Sequence, residues 1–292
     1  MSDSESNVAC PACGWSTSKQ KCCSYASHVA LFYGAGDRGV WSLGSDLILK
    51  EQPNVLPPKT EVSNIEFVKQ HTTIPIPSVL KEWVDDSNRY FVLMDRIKGQ
   101  TLEEAWPTLS EPEKEHISKQ VAEYMDQLRH LQSSAMQSLD GGPLYSTWLF
   151  IDPKENPHGP LRSDLELQDS LALALKDLPP AVSARFRTRL PVCTPYTFTH
   201  GDLNCQNIII KDGELAGIFD WGSAGYFPVW WEYASTSIGL SAEDTEWKAL
   251  LRKNLCAYDA GKDFWRSFYR LSWYPDLDET GQSLLKGLLE EK

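Results

Sequence analysis

FTHGDLNCQNIIIKDGELAGIFDW, running from Phe198 to Trp221, sets Asp202 five residues ahead of Asn207 and Asn207 thirteen ahead of Asp220. Ile208 to Lys211 and Leu215 to Phe219 are short apolar runs about a turn of Lys211, Asp212 and Gly213, a pattern that predicts a hairpin. Such a hairpin returns Asp220 to the side of Asn207. A carboxylate, a carboxamide and a second carboxylate gathered in this way suit phosphoryl transfer. Asp202 would face a substrate hydroxyl, while Asn207 and Asp220 would supply oxygen ligands to a magnesium ion on nucleotide phosphates. Singly, each residue is ordinary, since an Asp beside a Gly is usually a turn residue. Their joint spacing around a strand-turn-strand is what packing alone does not explain.

The His200-Gly201-Asp202 opening and the Asp220-Trp221 close resemble the aminoglycoside phosphotransferase family, the small-molecule branch of the protein-kinase-like fold. Protein kinases usually carry His-Arg-Asp and Asp-Phe-Gly at these places, and this chain carries neither. Beyond Asp220, WGSAGYFPVWWEYAS keeps Trp221, Gly225, Pro228, Trp231 and Glu232 in places that resemble a fungal-type subgroup, although Gly222 stands where an acidic residue is often found. The resemblance spans Val29 to the C-terminus. It implies an α+β, two-lobed fold: a small, mainly antiparallel N-lobe with one helix over residues 29–98, a larger, mostly helical C-lobe over 99–292, and ATP with Mg2+ in the cleft between them. Residues 1–28 form a Cys-rich tail outside it.

Several N-terminal segments fit that plan. Gly34, Gly36 and Gly39 follow an apolar run and precede a predicted hairpin, Val40 to Leu43 and Asp46 to Lys50. A dinucleotide fingerprint would continue into a helix, so the glycines read instead as a loop over phosphates. Lys50, at the end of the second strand, carries more weight than the glycines, because the spacing between them is shorter than in protein kinases. A helix beginning at Glu61 has the periodicity to present a carboxylate to Lys50. Glu61 matches the family pattern, and Glu66 is the alternative partner. Ile74 to Leu80 contains two prolines that force an extended path. Lys81 to Val84 and Tyr90 to Asp95 then predict a hairpin leading into a linker at 94–99. By the resemblance, Asp95 and Ile97 are candidates to meet the nucleotide base through their main-chain groups.

In the remainder, Ser110 and Glu113 form a capping-box pattern ahead of Ile117, Val121, Met125, Leu128 and Leu131 at helical spacing. A long loop spans 141–160, and helices are predicted over Leu165 to Leu178, Ala181 to Leu190, Trp247 to Tyr269 and Gln282 to Leu289. The aromatic run Tyr226, Phe227, Trp230, Trp231, Tyr233 reads as buried packing ahead of a substrate wall.

Composition narrows the function classes. A formal net charge of −12 argues against nucleic acid, which needs a basic face. The excess is localised, with 10 Lys and Arg against 11 Asp and Glu up to residue 99, and 18 against 29 after it. An acidic C-terminal portion favours a small hydroxylated substrate bearing positive charge, while solvated helix ends account for the same residues equally well. No secretory signal opens the sequence and no run of 18 apolar residues occurs, so a cytoplasmic protein with no membrane segment is expected. Seven cysteines, with Cys10, Cys13, Cys22 and Cys23 crowded together, suggest reduced thiols; metal binding by these four is the alternative. Three function classes remain: a small-molecule kinase, a protein kinase, and a kinase-shaped binding protein. The first is favoured, because no Ala-Pro-Glu segment follows Asp220 and no matched chemical position is lost.

Overall fold

The structure, a computed structural model, describes residues 29–55, 59–152 and 156–291. Cys10, Cys13, Cys22 and Cys23 lie outside the described residues. Five antiparallel strands, β1 (Val29–Ala35), β2 (Arg38–Leu43), β3 (Leu47–Pro53), β4 (Val79–Val84) and β5 (Arg89–Asp95), form one sheet in the order β1-β2-β3-β5-β4. Helix α1 (Glu61–His71) follows β3 and buries Val62, Ile65 and Val68.

Two details differ from the sequence reading. The glycine run is not a loop ahead of the hairpin but part of a ladder, with Gly34 paired to Gly39 and only Gly36, at φ +59°, in the turn. Glycine permits a ladder as well as a loop, and here the cross-strand partners continue through it. Lys50 likewise lies in the middle of its strand and not at the end. Glu51, Gln52 and Pro53 extend β3 by pairing with Phe91, Tyr90 and Arg89 of β5, although two of them are polar and the third has no N–H to donate. Interstrand pairing outweighs the apolar pattern there.

The chain leaves β5 through residues 96–99. Gly99 has φ +143°, and a Cβ on it would come within 2.3 Å of the Ile210 carbonyl, so only glycine lets the linker pass this close. The backbone then adds β6 (Gln100–Thr101) to the hairpin of β9 (Ile208–Lys211) and β10 (Glu214–Ile218), giving the order β10-β9-β6. A second small sheet joins β7 (Gln132–Ser133), β8 (Tyr196–Thr199) and β11 (Gly225–Phe227).

The rest is mostly helical: α2 (Leu102–Ala105), α3 (Glu111–Arg129), α4 (Thr147–Phe150), α5 (Asp164–Ala172), α6 (Pro180–Arg187), α7 (Trp231–Ser235), α8 (Ala242–Asn254), α9 (Asp259–Leu271) and α10 (Glu279–Glu290). The Ser110-Glu113 capping box forms at the start of α3. The helix expected over Trp247 to Tyr269 is two helices. Leu255 turns extended, and the Arg129 guanidinium meets the Tyr258 hydroxyl at 2.6 Å and lies over its ring, which holds the break open.

Among the described residues, a small apolar cluster of Val62, Tyr90, Val92 and Met94 lies under the first sheet, and two larger ones support the rest of the fold. One joins Ile65 and Val68 of α1 to Ile117, Val121 and Met125 of α3, and onward to Phe198, Ile208, Ile218 and Trp221, so the first helix is packed onto the strands of the second half. The other gathers Phe150, Phe186, Tyr196, Phe264 and Phe268 with Phe227, Trp230 and Trp231, which are buried as the packing reading expects.

Candidate active site

Lys50, at the centre of β3, pairs across the sheet with Val40 and Val92. Its Nζ lies 2.5 Å from Glu61 Oε1 and 2.8 Å from Asp220 Oδ1. Glu61 is the first residue of α1 and is buried, whereas Glu66 is exposed on another side of that helix. The carboxylate that meets Lys50 is therefore Glu61. Burial works against charge on the Lys50 ammonium, but Asp220 and then Glu61 outweigh it and hold the group protonated well above its ordinary range.

The β9–β10 hairpin brings Asp220 to this place. Asp212 and Gly213 both take positive φ, 54° and 80°, which gives a tight turn, and Ile208 pairs with Ile218 at the open end. One step beyond, the Phe219 N–H donates to the Asn207 carbonyl at 3.0 Å. Asn207 in turn donates its side-chain Nδ2 to the Asp202 carbonyl at 2.9 Å, which directs its amide oxygen away from that loop. Asp202, Asn207, Asp220, Lys50 and Glu61 are thus joined by successive contacts. Asp220 itself sits at φ 66°, in the left-handed region, a position that costs a non-glycine residue about 1 kcal/mol or more.

Four supports of this loop were not read from the sequence as such. His200 is fully buried; its Nε2 donates to the Phe219 carbonyl at 2.9 Å and its Nδ1 accepts the Asp202 N–H at 3.3 Å. Those partners require the neutral ring, and burial pulls the imidazole down to about 4. Glu232 accepts the His200 backbone N–H, and burial pushes its carboxyl up to about 7. Asp244, at 0% exposure, accepts the Cys205 N–H at 2.9 Å and the Leu240 N–H at 3.0 Å, and pairs with Lys248 at 2.9 Å. Asp244 belongs to the acidic C-terminal portion that solvated helix ends could account for, yet it is buried and paired. Finally, Asn64 of α1 donates to the Trp221 carbonyl at 2.8 Å. The available signals were an Asn among the buried positions of α1 and an Asp four residues before a Lys on the apolar face of α8. Gly201, at φ +81°, has the Ser223 carbonyl where a Cβ would be, 2.2 Å away, so this loop is closed as tightly as its glycine allows.

Asp95 and Ile97 lie at the exit of β5. The Asp95 N–H donates to the Ser78 carbonyl at 3.0 Å, which leaves its own carbonyl as the main-chain group available to a base. The Ile97 side chain rests on β10, where a Cβ on Gly217 would fall 2.4 Å from Ile97 Cδ1.

A sequence profile of the phosphotransferase enzyme family matches residues 50–268, about three quarters of the chain, starting at Lys50 itself. The chain belongs to this family. Solved structures similar to this phosphotransferase include the GDP complex of wild-type aminoglycoside 2'-phosphotransferase-IIIa, at 17% identity and TM-score 0.58, covering 92% of this chain and 95% of that one. The streptomycin–ATP ternary complex of APH(2")-IIa is similar at 16% identity and TM-score 0.54, covering 90% and 91%. A thermostable mutant of aminoglycoside phosphotransferase APH(4)-Ia, with ADP and hygromycin B, is similar at 18% identity and TM-score 0.52, covering 90% and 84%. These likenesses establish the two-lobed, kinase-like α+β fold for the phosphotransferase. No curated protein matches it.

A magnesium ion fits the residues of this phosphotransferase. Among the described residues there is no cluster of three His, Cys, Asp or Glu able to hold a metal by itself. Asn207 and Asp220 offer two hard oxygen donors, which would be the protein's share of a site completed by nucleotide phosphates and water.

Proposed function

We propose that this phosphotransferase moves the γ-phosphoryl group of ATP to a hydroxyl of a small, amine-bearing molecule. The observation that carries this reading is the 2.8 Å contact between Lys50 and Asp220, residues 170 positions apart, which brings the strand lysine held by Glu61 to the carboxylate at the end of the hairpin. Lys50, held by Glu61, binds nucleotide phosphates as a point charge, and the carbonyl of Asp95 with the main chain of Ile97 orients the base. Asn207 and Asp220 would hold Mg2+, which when bound offsets negative charge on the phosphate oxygens. Asp202 orients the acceptor hydroxyl and takes its proton as the acceptor oxygen bonds to phosphorus and the bond from phosphorus to the ADP oxygen breaks. In this reading residues 29–98 and 99–292 are the two lobes, with Gly99 at the passage between them.

A protein substrate is disfavoured by the path after Asp220. The chain makes one short helical turn at Trp221–Ser223, pairs Gly225–Phe227 with β8 and enters α7 at Trp231, which leaves no extended segment to cradle a peptide. A purely binding role is disfavoured because Lys50, Asp202, Asn207 and Asp220 are all in place. No helix among the described residues is long and apolar enough to cross a membrane, and Cys193, Cys205 and Cys256 are free thiols, which supports a cytoplasmic setting.

The amine on the acceptor is supported by the acidic excess after residue 99 and by the streptomycin and hygromycin B bound in the similar enzymes. The overall charge supports it less than composition suggested. Asp244 is paired with Lys248, Glu246 with Lys114 at 3.1 Å and Asp278 with Arg270 at 3.5 Å, so these carboxylates already have partners within the chain, although the net excess of acidic residues is unchanged. An ATP-consumption assay over matched amino and neutral sugars tests this reading. Turnover of the amino member of each pair, weakening as salt rises, is expected; preference for neutral or anionic acceptors would contradict it.

A further inference from the structure

Asn64 has no exposed surface and lies on the same side of α1 as Glu61, Ile65 and Val68. Its Nδ2 donates to two carbonyls across the cleft, Trp221 at 2.8 Å and Ala224 at 3.3 Å. Its Oδ1 is buried without a hydrogen-bond partner. The partners fix the amide's orientation, since the reverse setting would point its oxygen at those two carbonyls. A buried oxygen left unsatisfied is a cost that an apolar residue would not carry, so the gain from Asn64 lies in the two bonds it donates. Just ahead of the helix, Thr60 Oγ1 donates to the Gly222 carbonyl at 3.2 Å. The start of α1 therefore holds three carbonyls of the segment that follows Asp220. Between Thr60 and Asn64 stands Glu61, which holds Lys50, which holds the Asp220 side chain.

We propose that Asn64 is a positioning residue for Asp220: it closes a ring, Asp220 to Lys50 to Glu61 and through α1 to Asn64 and Trp221, that fixes the strained backbone from which the Asp220 carboxylate projects. The proposal rests on the reading of Asp220 as a metal ligand. Without the clasp, α1 keeps only the weaker Thr60 bond to this segment while Lys50 still draws on the Asp220 side chain, and the left-handed turn is freer to relax. Asn64 touches no substrate; its effect passes through the loop.

The test compares wild type and Asn64→Ala in two measurements: calorimetric affinity for a non-hydrolysable ATP analogue with and without Mg2+, and hydrogen exchange of residues 219–225 in nucleotide-free protein. The gain in affinity brought by Mg2+ should fall about tenfold, the size expected for one or two lost hydrogen bonds. Metal-free affinity should be unchanged, and exchange should accelerate at 219–225 but not in α3. Equal losses with and without Mg2+, or unchanged exchange at 219–225, would overturn the proposal. A wild type with no Mg2+ gain would sink the metal reading instead, and with it the proposal that rests on it. Should Asn64→Ala not fold, Thr60→Val decides, with the same selective pattern at about twofold expected for a single weaker bond and no selective change counting against it.

Discussion

His200 and Glu232 titrate in opposite senses. His200 falls from 6.5 to about 4 through burial, so the fold favours its neutral form, and stability is lost as pH drops from about 6.5 towards 4. Glu232 rises from 4.5 to about 7 through burial, so the fold favours its protonated form, and stability is lost as pH climbs from about 4.5 to 7. Each effect amounts to at most ~3 kcal/mol, and between about pH 4.5 and 6.5 the two slopes oppose each other. Glu232→Gln keeps an acceptor for the His200 N–H and removes the second slope. Thermal melts across this range should show the variant more stable than wild type at pH 8 and steeper in its loss of stability on acidification; a uniform drop at every pH would refute the assignment. At the reacting centre, Asp202→Asn should keep nucleotide affinity and lose ~10²- to 10⁴-fold in turnover, the usual contribution of a positioned base. Steady-state kinetics on an identified acceptor checks this, and near-full turnover would remove Asp202 from its role. The grouping of Asp202, Asn207 and Asp220 was legible because a hairpin predicted along one short stretch brings them together. His200 was visible only as part of a motif, and nothing in the sequence showed that its two nitrogens hold Phe219 and Asp202 together.

The β9–β10 hairpin could be read in advance because apolar runs and an Asp-Gly turn are local signals. Its partner elements could not. The helix expected from Trp247 starts a turn and more earlier, at Ala242, and the loop carrying Cys205 docks on its N-terminus, which buries Asp244 and Lys248 as a pair. An Asp near a helix start has the same sequence pattern whether water or another backbone faces it. Asp244→Ala strands the buried Lys248 ammonium and frees the Cys205 N–H, and should cost ~3–5 kcal/mol. Chemical denaturation would measure it, and a loss below ~1 kcal/mol, the range of exposed ion pairs, would show that the pair is solvated after all. The break between α8 and α9 was missed for a similar reason. Leu255 to Tyr258 contains no glycine or proline, and the interruption is imposed by Arg129, which lies in a helix far away in sequence.

At the scale of the molecule, the two-lobed arrangement follows from a sheet and one helix at the start, a glycine at the crossing, and helices around a second core. That order was legible from strand and helix periodicity together with the family resemblance. The distribution of charge was not, because a count of Asp and Glu does not reveal which carboxylates already face a Lys or Arg. What unites the whole chain is the site where β3, α1, the loop after β8 and the end of β10 meet, and its central claim is that Asn207 and Asp220 hold magnesium against bound nucleotide. Calorimetric titration of a non-hydrolysable ATP analogue into wild type and Asp220→Asn, with and without Mg2+, tests it most directly. Magnesium should strengthen binding about tenfold or more in the wild type, as expected for a site in which the ion bridges protein and phosphates, and this gain should vanish in Asp220→Asn. Equal affinity with and without the metal in the wild type would contradict the account.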